Sequence, residues 1–178
     1  VREHMILRSE VHLGRPEEDP MRTDDIQRIL IIGSGTMGRQ VSLQFATHDY
    51  DVVLYDINAE ALRDAEATLD GFVEEFTTNG LLTATEAKDA RARIEFESDA
   101  ATAADGVDLV SESVVENLNL KRRIFARFHQ LCSPDVVFTT NTSSLLPSKI
   151  ARGVSRPGGF CAFHFHQPVW HSNVVYIM

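Results

Sequence analysis

Apolar positions along the 178-residue chain alternate between two rhythms, separated by polar or glycine punctuation. Arg28-Ile-Leu-Ile-Ile32 is a short unbroken apolar run, the pattern of a strand covered on both faces in a parallel sheet. Met37 to His48 then reads as a helix, with Val41, Leu43, Phe45 and Ala46 among its apolar positions. Asp51-Val-Val-Leu-Tyr55 predicts a second strand, closed by Asp56. A long helix follows over 59–77 and stops at Asn79-Gly80, a good helix terminator. Thr83-Ala-Thr-Glu86 has capping spacing and opens a further helix to Ala92. Arg93–Glu97 alternates as a half-exposed strand, 100–104 reads as a short helix, and Val107–Val110 as a strand. Leu118, Ile124, Phe125, Phe128 and Leu131 recur at helical spacing. Strands follow at Val136–Phe138, Phe160–Phe163 and 173–178, with a helix between the first two that starts at Pro147 and ends before Gly153. Strands separated by helices predict an α/β, doubly wound, mainly parallel sheet with helices on both faces.

Composition narrows the class. At 43% apolar and 24% charged residues the chain is rich enough to bury a core, which excludes disorder. No run reaches the ~18 apolar residues a bilayer span requires. Seventeen basic against 26 acidic residues give a net charge of −9, which argues against nucleic acid as a partner. A small phosphate ligand stays open, because glycine loops and helix termini hold phosphate with little side-chain charge. Cys132 and Cys161 stand apart, in neither CxxC nor zinc-ligand spacing, so the reading is no metal, no disulfide scaffold and a reducing, cytoplasmic setting. Residues 1–24 read as a polar N-terminal extension without the apolar core of a secretory signal, and 25–178 as one domain.

Gly33-Ser-Gly35-Thr-Met-Gly38 carries the first chemistry. The hexapeptide alone is weak evidence. Here it follows a buried-type strand, opens a helix, and is followed 18 residues after Gly38 by Asp56 at the end of the next strand. That is the arrangement of a Rossmann-type dinucleotide site. Gly33 permits the tight turn, Gly35 the approach of a diphosphate and Gly38 close helix–strand packing, with Ser34, Thr36 and Met37 in the same cradle. Asp56 is the expected acceptor for the adenosine ribose hydroxyls. Its charge repels a 2′-phosphate, and no Arg or Lys follows it immediately, so NAD is favoured over NADP.

Three later segments set the family: Glu112-Ser-Val-Val-Glu-Asn117 with Lys121, Asn141-Thr-Ser-Ser-Leu145, and His164-Phe-His-Gln-Pro-Val169. With the glycine loop, in this order and spacing, they resemble the NAD-binding domain of the L-3-hydroxyacyl-CoA dehydrogenases. The resemblance covers about Ile26 to the end. It implies NAD as cofactor and oxidation of an L-3-hydroxyacyl-CoA to a 3-oxoacyl-CoA. His164 matches the catalytic base and Ser143 the hydroxyl that binds the substrate oxygen. Glu116, Lys121 and Ser143 match cofactor-contacting positions, with Asn141 beside them. Each residue also has a plainer reading: Ser143 and Ser144 as caps of the Pro147 helix, Glu116 and Lys121 as solvated charges, His164 as a core histidine.

The departures from the family pattern are as informative. Tyr176 stands twelve residues after His164, where the family has the Glu that orients the imidazole, and a phenol supplies no charge. Gln167 replaces an Asn and keeps the amide for a cofactor contact. The helix over 59–77 is acidic where relatives present basic residues to coenzyme A; Glu60, Asp64, Glu66, Asp70, Glu74 and Glu75 face only Arg63. The family continues into an all-helical C-terminal domain, absent from these residues, that completes the substrate pocket and the homodimer interface. Two alternatives therefore stand beside the acyl-CoA dehydrogenase: a non-catalytic NAD-binding module, and a dehydrogenase of a non-CoA hydroxy acid.

Overall fold

The computed structural model describes residues 23–172 and 174–178; the extension read at 1–24 lies almost wholly outside them. A seven-stranded sheet runs through the molecule in the order β3-β2-β1-β4-β5-β6-β7. Its strands are β1 (Arg28–Ile32), β2 (Asp51–Tyr55), β3 (Ile94–Glu97), β4 (Leu109–Glu112), β5 (Val137–Thr140), β6 (Phe160–Phe165) and β7 (Val175–Ile177). All neighbouring pairs are parallel except β6 with β7. The chain winds outward from β1 through β2 to β3, then crosses back and winds the other way from β4. A crevice at the carboxyl ends of β1 and β4 follows from that reversal, the place where ligands sit in open α/β sheets.

Period-two alternation in β1 divides the core. Ile29 and Ile31 join Val41, Leu43 and Phe45 of α1 (Thr36–Ala46) and Leu62, Leu69 and Phe76 of α2 (Ala59–Thr78) on one face. Leu30 and Ile32 join Phe125 and Phe128 of α5 (Leu118–Leu131), Phe138 and Ile150 on the other. Between them lie α3 (Ala84–Ala92) and α4 (Ala100–Ala103), with α6 (Pro147–Ile150) and α7 (Val169–Ser172) towards the end. Among the described residues no helix is long and apolar enough to cross a membrane.

Local signals acted as read at α2 and α3. Asn58 caps α2 through its side chain, Gly80 follows the helix at φ 69°, and Thr83 with Glu86 forms a complete capping box. Three strand ends were misjudged. β4 begins and ends two residues later than the apolar run suggests, taking in Ser111 and Glu112, both fully buried. β5 likewise takes in Thr139 and Thr140, whose hydroxyls donate to Val110 O and Glu112 Oε2. β6 extends to Phe165, so His164 lies inside a strand. Phe163 and Phe165 turn into the core, which directs His164 to the opposite face. The acidic α2 also does not face Arg63 alone: Arg91 of α3 pairs with Glu66 at 2.8 Å and Asp70 at 2.6 Å.

Candidate functional site

The loop from β1 into α1 is shaped by what its glycines exclude. Gly33 sits at φ 103°, and a Cβ there would stand 3.0 Å from Ser113 O. A Cβ on Gly38 would fall 1.8 Å from Gly33 O, so only a bare backbone lets α1 pack this closely. Gly35 differs: a Cβ there meets nothing within 4 Å. Gly35 is also the N-cap of α1, makes no side-chain cap bond, and no acidic residue occupies the first turn. The helix thus leaves its first N–H groups and positive dipole end facing open space, a fit for a diphosphate.

Ser34 is buried and turned inward. Its N–H and hydroxyl both donate to Asp56 Oδ2 at 2.9 Å, while its carbonyl accepts from Arg39 Nε at 2.7 Å. Asn58 N–H donates to Asp56 Oδ1 at 3.0 Å. A carboxylate offers roughly four lone-pair sites, so Asp56 retains room for one further donor, one ribose hydroxyl instead of two. Asp56 thereby holds the loop as well as facing a groove of about 560 Å³ lined also by Gly33, Gly35, Ile57, Val115 and Arg127.

A second cleft of about 310 Å³ brings together Met37, Glu116, Asn141, Ser143, His164 and Gln167, six residues singled out from four separate segments. Ser113 and Val114 line both cavities. Phe165 and His166 complete the smaller one. His166 was legible in principle, since a residue two positions from His164 on a strand shares its face. The rings stand 4.7 Å apart, and His166 Nε2 is buried without a partner among the described residues. Partial burial, then His166, lower the His164 pKa from 6.5, while the charge of Glu116 opposes them. Tyr176 lies directly across the β6–β7 pair from His164, ring centroids 6.4 Å apart. No described carboxylate hydrogen-bonds to His164.

Beneath this cleft a buried polar network ties its walls. Lys121, read either as a cofactor contact or as a solvated charge, is completely enclosed, which removes the second reading. Its Nζ donates to Glu112 Oε1 at 2.7 Å, to Glu112 Oε2 at 2.8 Å and to Asn141 O at 3.1 Å, and lies 3.5 Å from Glu116 Oε2. Burial disfavours the Glu116 anion. The Thr142 hydroxyl, the Ser144 N–H and hydroxyl, and the Lys121 charge together outweigh it and hold the pKa at about 2. Ser144 is therefore occupied by Glu116, and α6 starts at Leu146 with no side-chain cap; the capping alternative for Ser143 and Ser144 is not realised. Asn141 is a clamp: its Oδ1 accepts from Phe165 N–H at 3.2 Å and its Nδ2 donates to Ser113 Oγ at 3.4 Å. Thr36 and Gly38 line neither cavity; Gly38 acts through the close packing of α1 on the turn. No described group of three or more His, Cys, Asp or Glu is arranged around a common metal position.

Known proteins resemble this chain in sequence and in fold. The chain is 35% identical over 144 residues to the 3-hydroxyadipyl-CoA dehydrogenase of Escherichia coli K12, covering 81% of this chain and 30% of that protein. It is 33% identical over 147 residues to the 3-hydroxybutyryl-CoA dehydrogenase of Bradyrhizobium diazoefficiens, covering 81% and 49%. The crystal structure of 3-hydroxybutyryl-CoA dehydrogenase from Escherichia coli K12 superposes with a TM-score of 0.82 at 34% identity, over 85% of this chain and 32% of that one. The chain thus spans half or less of the length of these relatives. The family model described as 3-hydroxyacyl-CoA dehydrogenase, NAD binding domain, matches residues 28–178, and the chain belongs to that family.

Proposed function

We propose that this chain is the cofactor-binding part of an NAD-dependent dehydrogenase that oxidises an L-3-hydroxyacyl-CoA to the 3-oxoacyl-CoA. The observation that carries the reading is the convergence of Met37, Glu116, Asn141, Ser143, His164 and Gln167 on one cleft beside a helix N-terminus with no side-chain cap. NAD supplies the acceptor for the hydride that leaves substrate C3. An imidazole nitrogen of His164 takes the hydroxyl proton as the C3–O bond becomes a carbonyl. Keeping that imidazole neutral near pH 7 suits a base, and the lowered pKa does so. The Ser143 hydroxyl holds the substrate oxygen, and Gln167 offers an amide to the nicotinamide side. Glu116, ionised above about pH 2, keeps its charge at every working pH. Titration with NADH, followed by fluorescence, tests the cofactor half: binding is expected, and its absence overturns the proposal. Assay on acetoacetyl-CoA tests the chemistry, with slow or no turnover expected of this chain alone. Fusion to a relative's helical domain is expected to raise turnover, and His164→Gln to abolish it. The two unpaired cysteines favour a reducing cytosol.

Tyr176 favours a second reading, an NAD-responsive module without catalysis, because the imidazolium formed at His164 would have a neutral phenol across the ladder and no carboxylate hydrogen-bonded to it. Tyr176→Glu with the helical domain supplied separates the two. Restored turnover removes the module reading.

A further inference from the structure

The larger groove has a feature that the glycine loop and Asp56 do not account for. Arg123 and Arg127 stand one helical turn apart on α5, both exposed, and both line it. Neither donates a hydrogen bond to a described residue; Arg127 reaches Asp99 through its charge alone, without a hydrogen bond. Their neighbours are committed: Arg122 donates to Lys149 O at 2.8 Å, and Arg39 to Ser34 O and the Thr68 hydroxyl. Beside the polar Ser34, Arg39, Asp56 and Ser113, the groove is lined mainly by apolar residues, and two of these, Ile57 and Val115, are 78% and 71% exposed. Two large aliphatic side chains left to water and two guanidiniums hydrogen-bonded to no described residue meet in one groove, in a chain of net charge −9. A flat, electron-rich, anionic ligand matches that combination: guanidiniums lie against π-faces and attract phosphate, while aliphatic groups cover a ring.

We propose that Arg123 and Arg127 form a cationic wall that recognises the adenosine 5′-diphosphate end of the dinucleotide, with Ile57 and Val115 as its apolar cover. This rests on the cofactor reading above and assigns to α5 an affinity role that the glycine motif does not contain. The wall also supplies local attraction for an anion approaching an acidic surface.

Calorimetric titration of the chain with ADP-ribose, NADH and reduced nicotinamide mononucleotide tests it. Exposed cation–π and charge contacts change affinity by about threefold each. The double variant R123Q/R127Q is therefore expected to weaken ADP-ribose and NADH by about tenfold. Salt dependence of NADH binding should flatten, and the mononucleotide, which lacks adenosine, should bind as before. The mononucleotide arm also reports that the cradle is still folded. Unchanged ADP-ribose affinity in the double variant overturns the wall and leaves the cofactor reading standing. A wild-type chain that binds no NADH overturns both.

Discussion

Replacing Lys121 with methionine keeps most of the side-chain volume and removes one buried charge. In the wild type Glu112 accepts four hydrogen bonds, two from Lys121 Nζ and one each from Val114 N–H at 2.7 Å and the Thr140 hydroxyl at 2.6 Å. The variant retains the last two, so the carboxylate keeps neutral donors and loses its counter-ion in a site with no solvent access. Breaking one half of such a pair costs about 3–5 kcal/mol, and Asn141 O loses a donor as well. For a domain of this size that corresponds to a fall in Tm of roughly 6–20 °C. Burial already pushes the Glu112 pKa up even with Lys121 present, and the variant should raise it further. A carboxyl whose folded pKa lies above its unfolded value binds protons preferentially in the folded state. The variant should therefore regain stability as pH falls from 7 towards 5. Urea unfolding of Lys121→Met, Glu112→Gln and the double variant closes the cycle, with the double variant less damaged than the sum of the singles by at least about 2 kcal/mol. Additive losses, or a loss below about 1 kcal/mol for Lys121→Met, would refute the claim that this pair is one cooperative unit.

Two glycine substitutions should separate fold from ligand. Gly38→Ala drives a methyl into Gly33 O and should lower Tm markedly, whereas Gly35→Ala meets only open space and should leave Tm within about 1 °C while weakening NADH binding. Equal Tm losses in the two variants would contradict that division. His129 stacks on Phe138 at 3.8 Å with both ring nitrogens buried and without a partner among the described residues, and burial, then Arg156, hold its pKa at about 4. The unfolded chain takes up that proton near pH 6.5, so stability falls as pH drops from 6.5 to 4. His129→Phe should flatten this part of the stability–pH curve, as read by urea midpoints between pH 4 and 7.

What the linear pattern revealed, and what it hid, divides along one physical line. The β1 strand, the glycine turn, β2 and the two long helices were legible because apolar runs, caps and breakers act locally. The ends of β4 and β5 were not, because Ser111, Glu112, Thr139 and Thr140 look like loop residues until their partners across the sheet are known. Lys121 misled for the same reason: a lysine is almost never wholly buried unless paired, and its partner lies nine positions away. Arg91, which balances α2, comes from another helix. The candidate site residues were singled out by joint spacing, yet the contacts they make, with Asn141 bracing Phe165 and Ser34 bracing Asp56, depend on distances that spacing does not encode.

The antiparallel turn of β7 back along β6 has an evolutionary consequence. Because the ladder sets residue 176 opposite residue 164, whatever side chain stands at 176 becomes the imidazole's neighbour without any change of backbone. A single substitution there exchanges an anionic neighbour for a neutral one while a sheet of seven strands keeps its shape. Such an address lets a lineage retune the imidazole of residue 164 and later reverse the step, leaving the glycine loop and its helix untouched.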